Sequence, residues 1–423
     1  MKQLTIAALL MSITCSLLAQ KPEYKTVRAE KFRPRDGIGN VMQKIAAGQE
    51  VTVAYLGGSI TAADGWRPQT TAWLTHQYPK AKFKEIHAAI GGTGSDLGVF
   101  RVGFDVLQHN PDLLFVEFAV NDGGAQPENI WKSMEGIVRQ TWKKNAKTDI
   151  MFVYTIHSGM TNDLVKGDCP RSASAMELLA DYYKIPSINF ALEITQLLTA
   201  DKLVFKASEK PSGDRIWFAN DDCHPREEGH RIYTAMLAQY IPAMATSKPI
   251  DHAQQLKGCF IEDNLENAKM LPITAKMLTG SWTSLAATNS LQKSFGSRMG
   301  QLWESGTPGD KLRFTFKGSL AKVYDLVGPN GGKVKVTVDG KVTANSVARF
   351  DSYCTYHRIA TLGAAANLDP AATHTVEIEI LAEQPDRTIL LPKMKSPDEL
   401  KQPKYNGTCA WFSQLMLIGD LAE

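Results

Sequence analysis

Val51-Thr-Val-Ala-Tyr-Leu-Gly-Gly-Ser-Ile-Thr61 runs from a continuous apolar, β-branched stretch straight into two glycines and a serine. An unbroken apolar strand of this kind belongs inside a parallel sheet covered on both faces by helices. The glycines let the backbone turn sharply off it, which would expose the Ser59 hydroxyl at the sheet edge. Working outward, further strands are predicted at Phe83 to Ile86, Leu113 to Phe118, Ile150 to Thr155 and Ser187 to Phe190. Helix-compatible spacing covers Trp66 to Gln77, Gly98 to Leu107, Ile130 to Asn145 and Ala173 to Tyr183. This alternation predicts an α/β fold, a three-layer α/β/α parallel-sheet domain over residues 21–245.

Composition changes after Pro242. Residues 246–256 are polar and read as a linker or as irregular chain over the surface. Beyond them helical periodicity fades, and from Ser281 onward the chain alternates like strands, at Leu312 to Phe316, Ala321 to Val327, Lys333 to Val338 and His374 to Ile380. Asp339-Gly340 signals a tight hairpin, because both residues accept positive φ. Residues 257–423 are therefore expected to form a β-sandwich, jelly-roll-like.

The chain of 423 residues is 43% hydrophobic and 22% charged, which sets aside disordered, collagen-like and coiled-coil classes. At roughly 100–200 residues per domain its length agrees with two domains. A formal net charge of +3, with no basic run interleaved with aromatics, points to neither nucleic acid nor an anionic membrane surface as partner. Met1-Lys2, an apolar stretch from Leu4 to Leu18 and then Ala19-Gln20 read as a secretory signal peptide over residues 1–20. The chain is expected to be exported, periplasmic or secreted, with no membrane segment once those residues are removed. Lipid anchoring at Cys15 is the minority reading, because Thr14 before it is bulky. Cys169, Cys223, Cys259, Cys354 and Cys409 match no zinc spacing. That leaves one or two disulfides, with Cys354 and Cys409 a candidate pair, or free thiols.

Three segments fall just past predicted strands: Gly57-Gly58-Ser59-Ile60-Thr61, Gly91-Gly92-Thr93-Gly94-Ser95 and Val120-Asn121-Asp122-Gly123. In an open parallel sheet this is the edge where ligands bind. A fourth, Asn220-Asp221-Asp222-Cys223-His224-Pro225, precedes a helix with Ile232, Met236 and Tyr240 on one face, and Pro225 suits that helix's first turn. A serine hydroxyl is a poor nucleophile until a base takes its proton. His224 can be the base, and Asp221, three residues earlier, can hold its ring in the useful tautomer. The backbone N–H groups of Ser59 and Gly92 and the side-chain amide of Asn121 are candidate donors to an oxyanion. Each feature alone also reads as an ordinary turn or cap; their order and common edge favour catalysis. No Gly-X-Ser-X-Gly elbow occurs, which disfavours an ordinary α/β-hydrolase. Trp66, His157 and Trp217 are candidate substrate contacts, the two tryptophans by stacking on a ring of the substrate, although packing within loops explains aromatic residues equally well. His230 lies on another helical face from His224 with no third ligand in sight, so no metal is expected.

At these residues the chain resembles the SGNH (GDSL-type) esterase and acylhydrolase superfamily, whose four blocks supply Ser, Gly, Asn and Asp-X-X-His in that order. The resemblance covers about Val51 to Leu237. It implies Ser59 as nucleophile, Gly92 and Asn121 as oxyanion donors, and His224 as base with Asp221 beside it. Gly92 is taken by alignment over Gly91, and Asp222 is a weaker rival to Asp221. Gly58 stands where many members have Asp, Ala119 where a Gly is common, and His87 where the second block often opens with Asn. The Gly-Gly-Ser-Ile-Thr form, the export signal and the C-terminal β-domain resemble bacterial carbohydrate esterases that remove acetyl groups from polysaccharides. The expectation is an exported carboxylic ester hydrolase, an O-acetyl esterase using an acyl-enzyme and no cofactor. Its rivals are a lipase, thioesterase or peptidoglycan deacetylase on the same scaffold, and a non-catalytic carbohydrate-binding protein.

Overall fold

The computed structural model describes residues 22–422, and the predicted signal segment with Cys15 lies outside the described residues. A six-stranded sheet is built from β1 (Phe32–Arg33), β2 (Glu50–Gly57), β3 (Lys82–Ala89), β4 (Leu113–Glu117), β5 (Asp149–Tyr154) and β6 (Ser187–Asn189), in the order β1-β6-β5-β4-β2-β3. Strands β2 to β6 are parallel, and β1 closes the edge antiparallel to β6. The helices that cover this sheet are α1 (Gly39–Ala46), α2 (Ser59–Ala62), α3 (Trp66–Gln77), α4 (Ser95–Asp105), α5 (Pro127–Lys144), α6 (Thr161–Val165), α7 (Arg171–Tyr183), α8 (Phe190–Thr199) and α9 (Glu227–Ala243). A parallel pair, β7 (Leu203–Lys206) and β8 (Ile216–Ala219), precedes α9.

Because helices cover both faces, β4 is buried at every position and β5 likewise, which is what their apolar runs predict. Strand β2 lies between β3 and β4, so successive crossovers leave it in opposite directions. Its carboxyl end is the switch point of the sheet, where the neighbouring loops part and leave a crevice.

The C-terminal region is antiparallel. Its strands are β9 (Ala268–Pro272), β10 (Leu278–Thr279), β11 (Thr283–Ser284), β12 (Trp303–Ser305), β13 (Lys311–Val327), β14 (Lys333–Val338), β15 (Lys341–Ala348), β16 (Arg358–Ala365), β17 (Thr373–Ile380) and β18 (Ala410–Leu421). They form one ten-stranded arrangement with β11-β12-β18-β13-β17-β14-β15 as its path, β9 on β18, and β10 and β16 on β13. Leu312 to Phe316 and Ala321 to Val327, expected as separate strands, are one bent strand whose first half pairs with β17 and second half with β16. Register shifts at Gly318/Leu320 and Ala321/Lys322 accompany the bend. The layers enclose an apolar core that includes Leu312, Phe314, Phe316, Val336, Ile378 and Leu417. At the hairpin, Asp339 and Gly340 have φ of 51° and 76°, as the tight turn requires.

The expected strand alternation after Ser281 is interrupted by α10 (Ser290–Met299), where the Asn289 side chain caps the Leu291 amide at 2.8 Å. Pro225 is outside the first turn of α9. It bridges to Ala219 in extended conformation, and the Arg226 amide donates to the Phe218 carbonyl at 2.6 Å, which delays the helix to Glu227. The five described cysteines are free thiols, so the candidate Cys354–Cys409 bridge is not formed. Cys354 Sγ instead accepts from the Asp351 amide at 3.2 Å, and Cys409 Sγ from the Asn330 side chain at 3.1 Å.

The α/β layer and the sandwich share a core. Tyr324 and Leu326 of β13 and Trp411 and Met416 of β18 point away from the sandwich interior and join the apolar cluster under α4. Residues 250–265 are fastened across the helical face: His252 stacks on Trp142 with ring centroids 4.5 Å apart, and Glu135 accepts the amides of Phe260 and Ile261 at 2.6 and 2.8 Å. Among the described residues no helix is long and apolar enough to cross a membrane.

Candidate active site

The turn after β2 places Ser59 at the first position of α2. From the other side of the crevice, the segment between β8 and α9 brings His224 over it. The Ser59 hydroxyl lies 2.9 Å from His224 Nε2, and His224 Nδ1 lies 2.8 Å from Asp221 Oδ2. Asp221 is held by its own backbone neighbourhood, since the amides of Cys223 and His224 donate to Oδ1 at 2.8 and 2.7 Å. Partial burial works against its charge, but those amides and the His224 ring outweigh it and hold the carboxyl down at about 2. An ionised Asp221 only accepts, so Nδ1 carries the ring proton and Nε2 is left to accept from Ser59. The rival carboxylate, Asp222, is turned away, to Lys206 Nζ at 3.0 Å. The His224 and Asp221 side chains are about half exposed, at 52% and 54%, so the group opens directly to solvent.

The other two loops meet Ser59 here. A Cβ on Gly91 would stand 3.6 Å from Ser59 Cβ, and Gly92 follows with φ of 73° and open space around it. Asn121 starts a single 3-10 turn, Asn121–Gly124, after β4. Its side chain presses on the turn that bears Ser59 so closely that a Cβ on Gly58 would fall 1.9 Å from Asn121 Oδ1. Gly58, noted above as a departure from the superfamily's usual Asp, thus has a local cause: the space is taken by Asn121.

The remaining candidates diverge. Trp66 is fully buried, packed edge-on against Tyr55, Phe115 and Phe190, and cannot reach a sugar; its expected role as a substrate contact is corrected to core packing. Trp217 is half-buried with the Arg226 guanidinium 4.0 Å over its ring, and its Nε1 donates to the Ala219 carbonyl at 2.7 Å. His157 accepts from the Gly159 amide through Nδ1 at 3.1 Å, which leaves its Nε2–H facing Gly123 beside Asn121.

Two buried acids at this edge escaped the sequence reading. Glu117, 1% exposed at the end of β4, accepts from the Thr61 hydroxyl at 2.8 Å and the Thr155 hydroxyl at 2.6 Å. Burial raises its carboxyl above the ordinary range, against the pull of those hydroxyls and the Gly58 amide. Asp122 accepts from the Ser95 amide at 3.0 Å, while its Oδ2 is buried without a partner. Burial, aided by the charges of Asp96 and Glu117, pushes it up to about 7 in spite of the bonds to Ser95. An acid inside the run Leu-Leu-Phe-Val-Glu-Phe was the available signal for Glu117.

A parallel α/β/α sheet with a serine, histidine and aspartate at its switch point has the architecture of an SGNH-type acylhydrolase. Residues 55–232 match the model of the GDSL-like lipase/acylhydrolase family, and the chain carries a domain of that family there. The thioesterase 1/protease 1/lysophospholipase L1 of Escherichia coli (strain K12) is 24% identical over 197 residues, 45% of this chain and 83% of that protein. Over nearly the whole chain, the fold is similar to that of a two-domain esterase described as active on acetylated mannans and co-crystallised with mannopentaose. The TM-score is 0.69 at 18% identity, covering 90% of this chain and 94% of the other. A second structure of such an esterase gives 0.68 at 18% identity, with 90% and 95% covered. The two-domain arrangement of parallel α/β layer and antiparallel β-region is thus a fold found in solved esterases.

Proposed function

We propose that this protein is an exported serine esterase that removes O-acetyl or other short acyl groups from a polysaccharide. The observation that carries the reading is the continuous chain Ser59 Oγ, His224 Nε2, His224 Nδ1, Asp221 Oδ2, with links of 2.9 and 2.8 Å at an open sheet edge. His224 takes the Ser59 proton as Oγ attacks the ester carbonyl. The oxyanion that develops is held by the Ser59 and Gly92 amides and the Asn121 side chain, a type of contact worth about 10²–10³ in rate for each donor. Collapse expels the sugar hydroxyl, which takes its proton from His224 and leaves an acyl group on Ser59. Water activated by His224 then releases the carboxylate. Asp221 stays charged throughout and stabilises the imidazolium.

Two features support a polymeric substrate. The catalytic group is about half exposed instead of sunk in an acyl-sized pocket. A cleft of about 610 Å³ is lined by Asp96, Ala125, Asn129 and Lys132 from the α/β layer and by Ser319 and Lys322 from the β-region, and Asp96 and Ala125 follow Gly92 and Asn121 closely along the chain. The activity of the mannan esterase with the same two-domain fold places acetylated mannan first among substrates to try. Acetate release from acetylated mannan, xylan, pectin and an aryl acetate should be measured for the protein and for Ser59→Ala. Release from a polysaccharide, lost by at least about 10³-fold in the variant, is expected. Turnover of the aryl acetate alone would move the substrate to lipids or thioesters, and full activity in Ser59→Ala would overturn the mechanism.

A further inference from the structure

The nucleophile sits on α2, a helix of only 4 residues, and a single turn does not hold its own shape in water. Its position must therefore be imposed by what it touches. Beneath it lies Glu117, whose register partner across the sheet is Gly57 at the end of β2. One carboxylate oxygen receives the hydroxyl of Thr61, which belongs to α2 and is itself fully buried. The other receives the hydroxyl of Thr155, the residue just past the end of β5. Thr155 leads through Ile156 and His157 to Ser158, whose amide donates to the Asp222 carbonyl at 2.8 Å, next to Asp221. A single carboxylate thus spans the nucleophile turn and the chain that abuts the base-bearing segment. Within 0 and 1% exposure respectively, neither Thr61 nor Glu117 can reach a substrate.

We infer that Glu117 is a positioning residue: by gripping Thr61 on one oxygen and Thr155 on the other, it sets Ser59 Oγ at bonding distance from His224. The inference rests on the esterase reading above. An ordinary buried acid would need its hydrogen bonds for stability alone; a positioning acid also sets the rate of the chemical step, since small misplacement of a nucleophile is costly.

Thr61→Val keeps the shape of Thr61 and deletes the bond, Thr61→Ser keeps the bond, and Glu117→Gln replaces one acceptor by a donor. Each full-length variant is to be assayed for kcat and KM on an aryl acetate, for the rate of labelling of Ser59 by a fluorophosphonate, and for Tm. In Thr61→Val and Glu117→Gln, kcat and labelling are expected to fall about 10- to 100-fold with KM within about twofold. Thr61→Ser is expected within about threefold of the parent. A parent-like kcat in Thr61→Val at a lowered Tm, or a Thr61→Ser as impaired as Thr61→Val, overturns the inference and leaves a purely structural role. Should Glu117→Gln not fold, the threonine pair decides alone. A parent protein that neither hydrolyses the ester nor takes the label overturns the esterase reading and this inference with it.

Discussion

Asp122 follows the proposed oxyanion donor Asn121 and faces the opposite demand: it is buried, with one oxygen bonded to Ser95 and the other unpartnered. With a folded value near 7 against an ordinary 3.8, the folded protein binds more protons here than the unfolded chain between those two pH values. The contribution of this residue to stability therefore declines as pH rises from about 4 to about 7 and is level above that, a difference on the order of a few kcal/mol. Asp122→Asn keeps an acceptor for the Ser95 amide and removes the titration. Relative to the parent, its Tm should rise progressively across that window and converge with it at the acid end. Parallel Tm curves for the two proteins would show that Asp122 does not titrate there. Asp221 has the reverse sign. Its folded value of about 2 stabilises the fold above pH 3.8, a contribution lost only as pH falls toward 2.

At the scale of elements, the turn that bears the proposed nucleophile Ser59 is assembled from four directions: Glu117 below, Asn121 against Gly58, Arg101 holding the Gly57 carbonyl at 3.2 Å, and the buried Ile60. The Asn121 contact separates rate from stability. A methyl group at position 58 would collide with the end of a flexible side chain, which can swing aside at small cost to the fold. Gly58→Ala should therefore melt within a few degrees of the parent yet lose about 10²–10³ in kcat, the usual loss on removing one oxyanion donor. Steady-state kinetics beside a thermal melt tests this; unchanged kcat would remove Asn121 from the proposed oxyanion site.

Across the whole molecule, the decisive feature is that β13 and β18 have two apolar faces. Phe412, Leu415 and Leu417 fill the sandwich, whereas Trp411 and Met416 complete the core of the α/β layer. Neither part can withdraw without exposing large apolar surface, so calorimetry should give a single transition. Trp411→Ala, which empties a fully buried site and orphans the bond from its Nε1 to Glu304, should cost about 3–5 kcal/mol and lower that one transition as a unit. Two resolved transitions, with the mutation moving only one, would show instead that the layers fold independently.

The α/β half was legible in the sequence because its signals are local. A strand buried on both faces must be apolar throughout, and a chain that must turn sharply at its end calls for glycine, so Val51 to Thr61 disclosed both the sheet and the edge at which Ser59 stands. The same logic brought Ser59, Gly92, Asn121 and His224 to one edge, since each was placed at a boundary between elements. What pairs across space was not legible. Which of two adjacent aspartates turns toward His224, why position 58 is Gly, and whether Trp66 faces solvent or core were decided by neighbours from distant strands. Glu117 shows the division most clearly: the sequence marks it as an acid in an apolar run, but only the packing of α2 and of the chain after β5 around the end of β4 supplies the two hydroxyls that make its burial tolerable. Local backbone preference and periodicity are written residue by residue, whereas hydrogen-bond satisfaction and shared cores exist only once the chain has closed on itself.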